Sequence, residues 1–255
     1  MFTALLLCAL CLPLRGADPQ QADAGRVKSA LSEFERAWKG DSPGERVRAI
    51  QANGDVPDAE VVKYLARGLR DKQAEVQRAA IEALRYAAHP DALKALHAAA
   101  RDESGLRKDA ELCAALLRAV GQHGSADSTD LLADELWSLP DPRVVQARIL
   151  GLGHIRTRAA LERLLEALRT AGQQRLEPAL PDFRLALVAL TGLDQGQAPA
   201  AWQTWWSENR TKFKLAEKQP ELPKDLDRKW KAYWGETEYD YRPRKRSERG
   251  RDGQT

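Results

Sequence analysis

The sequence predicts an all-α chain, an α-solenoid of about five helical hairpins closed by a capping helix at each end. Three observations carry that prediction. From Ser42 to Phe213 the chain is a succession of amphipathic segments of 11 to 17 residues, separated by short breaks rich in Asp, Gly, Pro and Ser. No stretch alternates as a strand would. The ends of the first segment of each pair fall into register at Ala52-Asn53-Gly54, Ala83-Leu84-Arg85, Ala119-Val120-Gly121, Gly151-Leu152-Gly153 and Ala189-Leu190-Thr191. Their spacings of 31, 36, 32 and 38 residues describe one period with turns of varying length, the mark of an internal repeat.

Residues 1–24 read as a secretory signal. A nine-residue apolar run, Ala4 to Leu12, is too short to cross a bilayer and suits the core of an export signal. Ala22-Asp23-Ala24 fits the small-x-small cleavage rule but lies far from the apolar run, so the mature chain is expected to start somewhere between Asp18 and Arg26, with no transmembrane helix. Cys8 and Cys11 lie in this segment, which leaves Cys113 alone and no internal disulfide. In "AELCAALLRAV" that thiol sits on an apolar face, as a small core residue does.

Residues 25–41 form the N-terminal cap, where Val27, Leu31, Phe34 and Trp38 share one helical face. The repeat array, residues 42–213, has recurrent start signals: Ser42 then Pro43, Asp71, and Asp141 then Pro142. Small residues at each register position let paired helices approach closely, and the glycines that follow suit left-handed helix stops. The second helices bring apolar rows: Val61, Val62, Leu65 and Leu69; Leu93 and Leu96; Leu131, Leu132 and Leu136; Leu161, Leu164, Leu165 and Leu168.

The stretches "DKQAEVQRAAIEALRYAAHPDALKALHAAARD" and "PDPRVVQARILGLGHIRTRAALERLLEALRT" resemble HEAT repeats in their short bacterial form, seen also in HEAT-like proteins of the phycobilin-lyase type. The resemblance implies a right-handed α-solenoid that works as a protein-interaction scaffold, its second helices lining a concave face. The first unit departs from the pattern, with Asn53 where a Leu is expected, and "RTAGQQRLEPALPDFRLALVAL" carries an enlarged turn.

Trp202, Trp205 and Trp206 stand at i, i+3 and i+4, and Phe213 continues the row. Large rings at the last helix of a stack can close its open end, so these four are expected to be a structural cap against Phe183, Leu187 and Leu190. The segment "ALTGLDQGQAPAAWQTWWSENRTKF" also resembles a terminal module of secreted bacterial HEAT-repeat proteins. Base stacking, as in HEAT-type DNA glycosylases, would need a basic groove that the sequence does not display, so no nucleic acid is expected. Residues 214–239 form a partly helical extension, with Trp230, Tyr233 and Trp234 again at i, i+3 and i+4 on a short helix from about Leu226 to Trp234 that docks back on the stack.

Residues 240–255 form a basic tail expected to be disordered. Arg242, Arg244, Lys245, Arg246, Arg249 and Arg251 face one acid, Glu248, with no hydrophobic residue among them. They are the candidate contacts for an anionic envelope polymer or lipid. The whole chain, with 40 basic and 37 acidic residues and a net charge of +3, is too nearly neutral to bind polyanions as a body.

No nucleophile stands beside a base in the sequence, no glycine loop cradles phosphate, and His89, His97, His123 and His154 are scattered without metal-ligand spacing. The functional expectation is a periplasmic or secreted bacterial scaffold for a protein partner, not an enzyme, with no cofactor and no metal. The alternatives are a HEAT-like lyase acting on a bound chromophore, implied by the family resemblance alone, and an envelope-binding module using the tail. Export has a direct check: N-terminal sequencing of native protein should find a start between Asp18 and Arg26 outside the cytoplasm, and an intact Met1 in the cytosol contradicts it.

Overall fold

A computed structural model describes residues 23–103 and 105–235. Most of the expected signal, residues 1–22, and the expected basic tail, residues 240–255, fall outside the described residues. Helix α1, Ala24–Lys39, leads into five hairpins. Their first helices are α2 (Pro43–Asn53), α4 (Ala74–Tyr86), α6 (Ala110–Gln122), α8 (Pro142–His154) and α10 (Leu180–Thr191). Their second helices are α3 (Ala59–Gly68), α5 (Pro90–Arg101), α7 (Thr129–Ala133), α9 (Arg158–Gln174) and α11 (Pro199–Asn209). Helix α12, Lys224–Trp234, follows a stretch without regular structure. No helix among the described residues is long and apolar enough to cross a membrane.

The start signals work through side-chain caps. Ser42 Oγ accepts from the Glu45 amide, Asp141 Oδ1 from the Arg143 amide, and Pro43 and Pro142 occupy the first helical place where no amide is needed. The Asp71 start shifts: its carboxylate accepts from the Gln73 amide, and α4 begins only at Ala74. Successive first helices pack side by side in one layer, and in the other α3 packs on α5, α7 on α9 and α9 on α11. A single core runs the length of the stack between them.

Three glycines that end the register triplets, Gly54, Gly121 and Gly153, are not the left-handed stops the sequence suggests, whereas Gly192, just after Thr191, is one. Among the described residues left-handed backbone ends α9 at Arg175, α10 at Gly192 and α12 at Gly235, and follows α6 at Gly124; Gly54, Gly121, Gly151 and Gly153 all have ordinary right-handed backbone. Their lack of a side chain is used for approach. A Cβ on Gly121 would lie 2.6 Å from the Gly151 Cα, and one on Gly153 would lie 2.7 Å from the Ala186 Cβ. The first helices are therefore as close as their backbones permit.

Two irregular units have physical reasons. In the first repeat the column occupied elsewhere by Leu84, Val120, Leu152 and Leu190 holds Asn53, whose Nδ2 donates to Glu33 on α1 and to the Ala49 carbonyl. That position meets the cap helix instead of another repeat, so an amide is satisfied there. The cap is completed by Phe34 stacked on Tyr64 of α3, with Trp38 edge-on to the same ring. In the third repeat the second helix is five residues long rather than the 11 or more expected. A 3-10 turn precedes it, and Leu136 enters the core from the turn that follows.

Gly121→Ala should lower stability by about 1–3 kcal/mol through overpacking, although helix propensity alone would favour alanine by up to about 1 kcal/mol. Gly44→Ala, whose added Cβ would meet nothing closer than 3.8 Å, should be neutral or stabilising. Denaturant midpoints of the two variants at unchanged slope compare them.

Candidate functional site

The solvent side of the second-helix layer is a lattice of ion pairs. Lys63 pairs with Glu60 on α3, Lys94 with Asp91 on α5, and Arg158 with Glu162 and Arg169 with Glu166 on α9. Arg163 on α9 reaches Asp130 at 3.0 Å and Asp134, tying α9 to the third repeat. Such exposed pairs each contribute at most about 1 kcal/mol. What they create is a face of alternating charge. The large hydrophobics exposed among the described residues are Tyr86 and Leu193, so this face has no broad apolar patch.

The shortness of α7 opens a cleft of about 280 Å³ in the middle of this layer, between the end of α5 and the turn after α7. Arg101, Arg107, Asp130, Asp134, Glu135 and Arg148 line it. Arg148 belongs to α8 and occupies a core column otherwise filled by Ala49, Ala80, Leu116 and Ala186. It is 3% exposed, and burial pulls its pKa below that of an ordinary guanidinium. Its Nη1 donates to the carbonyls of Leu131, at 2.7 Å, and Leu132, at 3.3 Å. These are among the carbonyls that a helix as short as α7 cannot satisfy internally. Its Nη2 lies 3.5 Å from Glu135 Oε2, the oxygen that also accepts from Arg107 Nη2 at 2.5 Å. Sequence reading passed over Arg148. Aligning the position three before each register residue would have found it as the one charge in an apolar column.

A second cavity, about 350 Å³, brings together three histidines that look scattered in sequence: His89, His97 and His123. His123 Nε2 donates to the Leu84 carbonyl at 3.0 Å, and His89 Nδ1 accepts from the Asp91 amide. His97 Nε2 is 2.8 Å from Ser128 Oγ, so a hydroxyl does stand beside an imidazole, against the sequence expectation. Ser128 is fully buried and does not line the cavity. Burial holds both His97 and His123 below the usual histidine pKa. Among the described residues no group of three His, Cys, Asp or Glu is arranged to hold a metal ion. Cys113 is buried, and burial pushes its thiol pKa up, the opposite of an activated nucleophile.

The aromatic row of α11 divides. Trp202 is fully buried with Nε1 donating to the Gly196 carbonyl at 2.9 Å, whereas Trp205, Trp206 and Phe213 are half-buried. Trp205 stands edge-on to Trp202 and to Phe213, and the Arg158 guanidinium lies over Trp206 at 5.0 Å. The helix lies closest to α9: Gln203 Nε2 donates to the Leu165 carbonyl, and Pro199 abuts Gly172. Phe183, expected under these rings, meets Trp137 instead. The candidate polyanion contacts, Arg242 to Arg251, lie outside the described residues.

Helix α12 crosses the C-terminal ends of α4, α6 and α8. Arg85 Nη2 donates to the Trp234 carbonyl at 2.6 Å, Arg118 covers the Tyr233 ring, and His154 packs against Trp230 and Trp234 at centroid distances of 6.0 and 4.7 Å. Trp230 Nε1, Tyr233 Oη and Trp234 Nε1 are buried without a partner among the described residues, so this docking rests on apolar area and a few cationic contacts. Burial, with Arg156 and Arg85 adding repulsion, holds His154 down to about 4.

Trp202→Ala should cost about 3–5 kcal/mol, a large buried ring replaced by a cavity. Trp205→Ala and Trp206→Ala should cost less, on the order of 1–2 kcal/mol each. Because His154 is neutral in the fold and titrates near 6.5 when unfolded, the unfolded chain binds more protons between those values. Stability is therefore present in full above about pH 6.5 and declines as the pH falls towards 4, with His97 and His123 acting in the same direction. Urea midpoints across that window should show the decline, and His154→Phe should make it shallower.

The family model of HEAT repeats matches residues 34–113, from within α1 to within α6. No curated protein matches the chain. The register that begins inside the matched segment continues through α8 and α10 with the same core columns and the same two-layer packing. Residues 34–113 are thus similar to HEAT repeats, and the described residues form an all-helical solenoid that continues the same pattern.

Proposed function

We propose that this chain is an exported, non-catalytic scaffold that binds a protein partner across its second-helix face. The observation that carries the reading is the face itself: successive second helices present alternating charges, and a cleft opens among them at the middle of the stack. A surface of this kind recognises by dispersed polar contacts and charge complementarity, which set specificity and association rate more than raw affinity. The first-helix layer is less suited to the task because α12 already lies across α4, α6 and α8. Export rests on the apolar run Ala4 to Leu12, and the basic run Arg242 to Arg251 supports an additional hold on anionic envelope material.

The test is a charge-reversed variant on three repeats, Lys63→Glu, Lys94→Glu and Arg169→Glu. Each side chain is substantially exposed, so each change should leave stability within about 0.5 kcal/mol of the parent. Partners co-purified from native envelope with the parent should be lost from the variant. Retention of the same partners at the same salt would place the binding surface elsewhere.

A further inference from the structure

The turn after α7 places a carboxylate where a ligand's would sit. Glu135 Oε2 is approached by two guanidinium groups at once, Arg107 Nη2 at 2.5 Å and Arg148 Nη2 at 3.5 Å. Convergent arginines of this kind are a carboxylate-recognition arrangement, because each offers several donors in a rigid plane. The two arginines are held: Arg148 is fixed by the Leu131 and Leu132 carbonyls, and the Arg107 side chain is only 15% exposed. Arg148 also keeps a buried Nε with no partner among the described residues, a donor that Glu135 leaves unused. Glu135 itself is not held in the same way. Its side chain is 44% exposed, and it projects from a turn outside any helix.

The charge balance points the same way. Arg101, Arg107 and Arg148 line the cleft with Glu103, Asp130, Asp134 and Glu135, and Arg163 is committed to Asp130 and Asp134. Those four cations and four anions cancel. With Glu135 turned out to solvent, four cations face three anions, an excess of one positive charge that one incoming carboxylate would neutralise.

We propose that Arg107 and Arg148 form a carboxylate-binding clamp in the second-helix face, occupied in this structure by Glu135 and open to the acidic side chain of a protein partner. The partner as the source of the carboxylate rests on the scaffold reading above; the clamp does not. Glu135 acts as a competitor in cis, and the apparent affinity for any incoming carboxylate is reduced by the fraction of time it holds the clamp.

The experiment uses the full chain, its Glu135→Ala and Glu135→Gln variants, and the double variants of each with Arg107→Gln. The probes are a blocked tetraglutamate peptide and free glutarate, with binding followed by calorimetry at fixed low salt. If Glu135 fills the clamp about nine-tenths of the time, its removal should tighten peptide binding by about tenfold, and Arg107→Gln should abolish that gain. Glu135→Gln keeps the shape of the turn and serves if the alanine variant fails to fold. Peptide binding that is indifferent to both substitutions, or absent from every variant, overturns the clamp. Glutarate binding as tightly as the peptide overturns the partner side chain as its occupant. The three-site charge reversal avoids every cleft residue, so a failure of the scaffold reading is seen there and a failure of the clamp is seen here.

Discussion

The close approach of the first helices is the constraint on which the rest of the structure depends. No hairpin of this size can bury its own apolar face, and stacking supplies the missing surface. The stack is tight because small residues meet where successive first helices touch: Gly54 against Ala83, Gly121 against Gly151, Gly153 against Ala186. With backbones that close, side chains one turn away interlock, and Ile50, Ile81, Leu117, Ile149 and Leu187 are all buried. The second helices are set by what remains. They follow the first-helix layer and can vary in length, as the five residues of α7 show beside the 17 of α9.

That freedom is what creates the cleft. A full second helix in the third repeat would fill the space between α5 and α9 with its own apolar row. With a short one, carbonyl groups at its end face the core unsatisfied, and an apolar residue at the Arg148 position would leave them so. A buried guanidinium loses hydration, and removing its partners would strand a charge at a cost of several kcal/mol. Its hydrogen bonds to Leu131 and Leu132 and its proximity to Glu135 offset that loss. The irregular helix and the misplaced arginine are therefore one feature, and it lies in the layer left uncovered by α12.

Much of this architecture was legible because it is periodic. The register columns, the cap face of α1 and the start signals at Ser42 and Asp141 depend on local spacing and local hydrogen bonds, which a sequence displays. Depth within a face is not local. The i, i+3, i+4 spacing of Trp202, Trp205 and Trp206 places three rings on one side of α11 but cannot say that only Trp202 is enclosed. Leu131, Leu132 and Leu136 fit a helical row, yet Leu136 reaches the core from a turn, and apolar spacing cannot separate the two cases. The convergence of His89, His97 and His123, and of Arg107 with Arg148, arises between repeats. Such juxtapositions become readable only after the repeats are laid in register, and only when, as with Arg148, one member breaks a column.

Helix α12 changes the character of the stack. In a plain solenoid each repeat touches only its neighbours, so stability is close to a sum of repeat and interface contributions and ends can fray independently. Here the Trp234 carbonyl is bound by Arg85, 149 positions earlier, while the same helix packs on Arg118 and His154. One element thus bridges the second, third and fourth repeats, and separating any of them requires α12 to leave. The segment that delivers it is itself anchored, since Arg156 donates to the carbonyls of Ala189 and Leu190 at the end of α10 and to Ala216 beyond α11. The middle of the array is thereby made the most strongly coupled part, and the cleft is lined by residues of the same three repeats. A binding face whose charged groups must hold fixed positions is best placed there, because donors held by the fold need no ordering when a partner arrives.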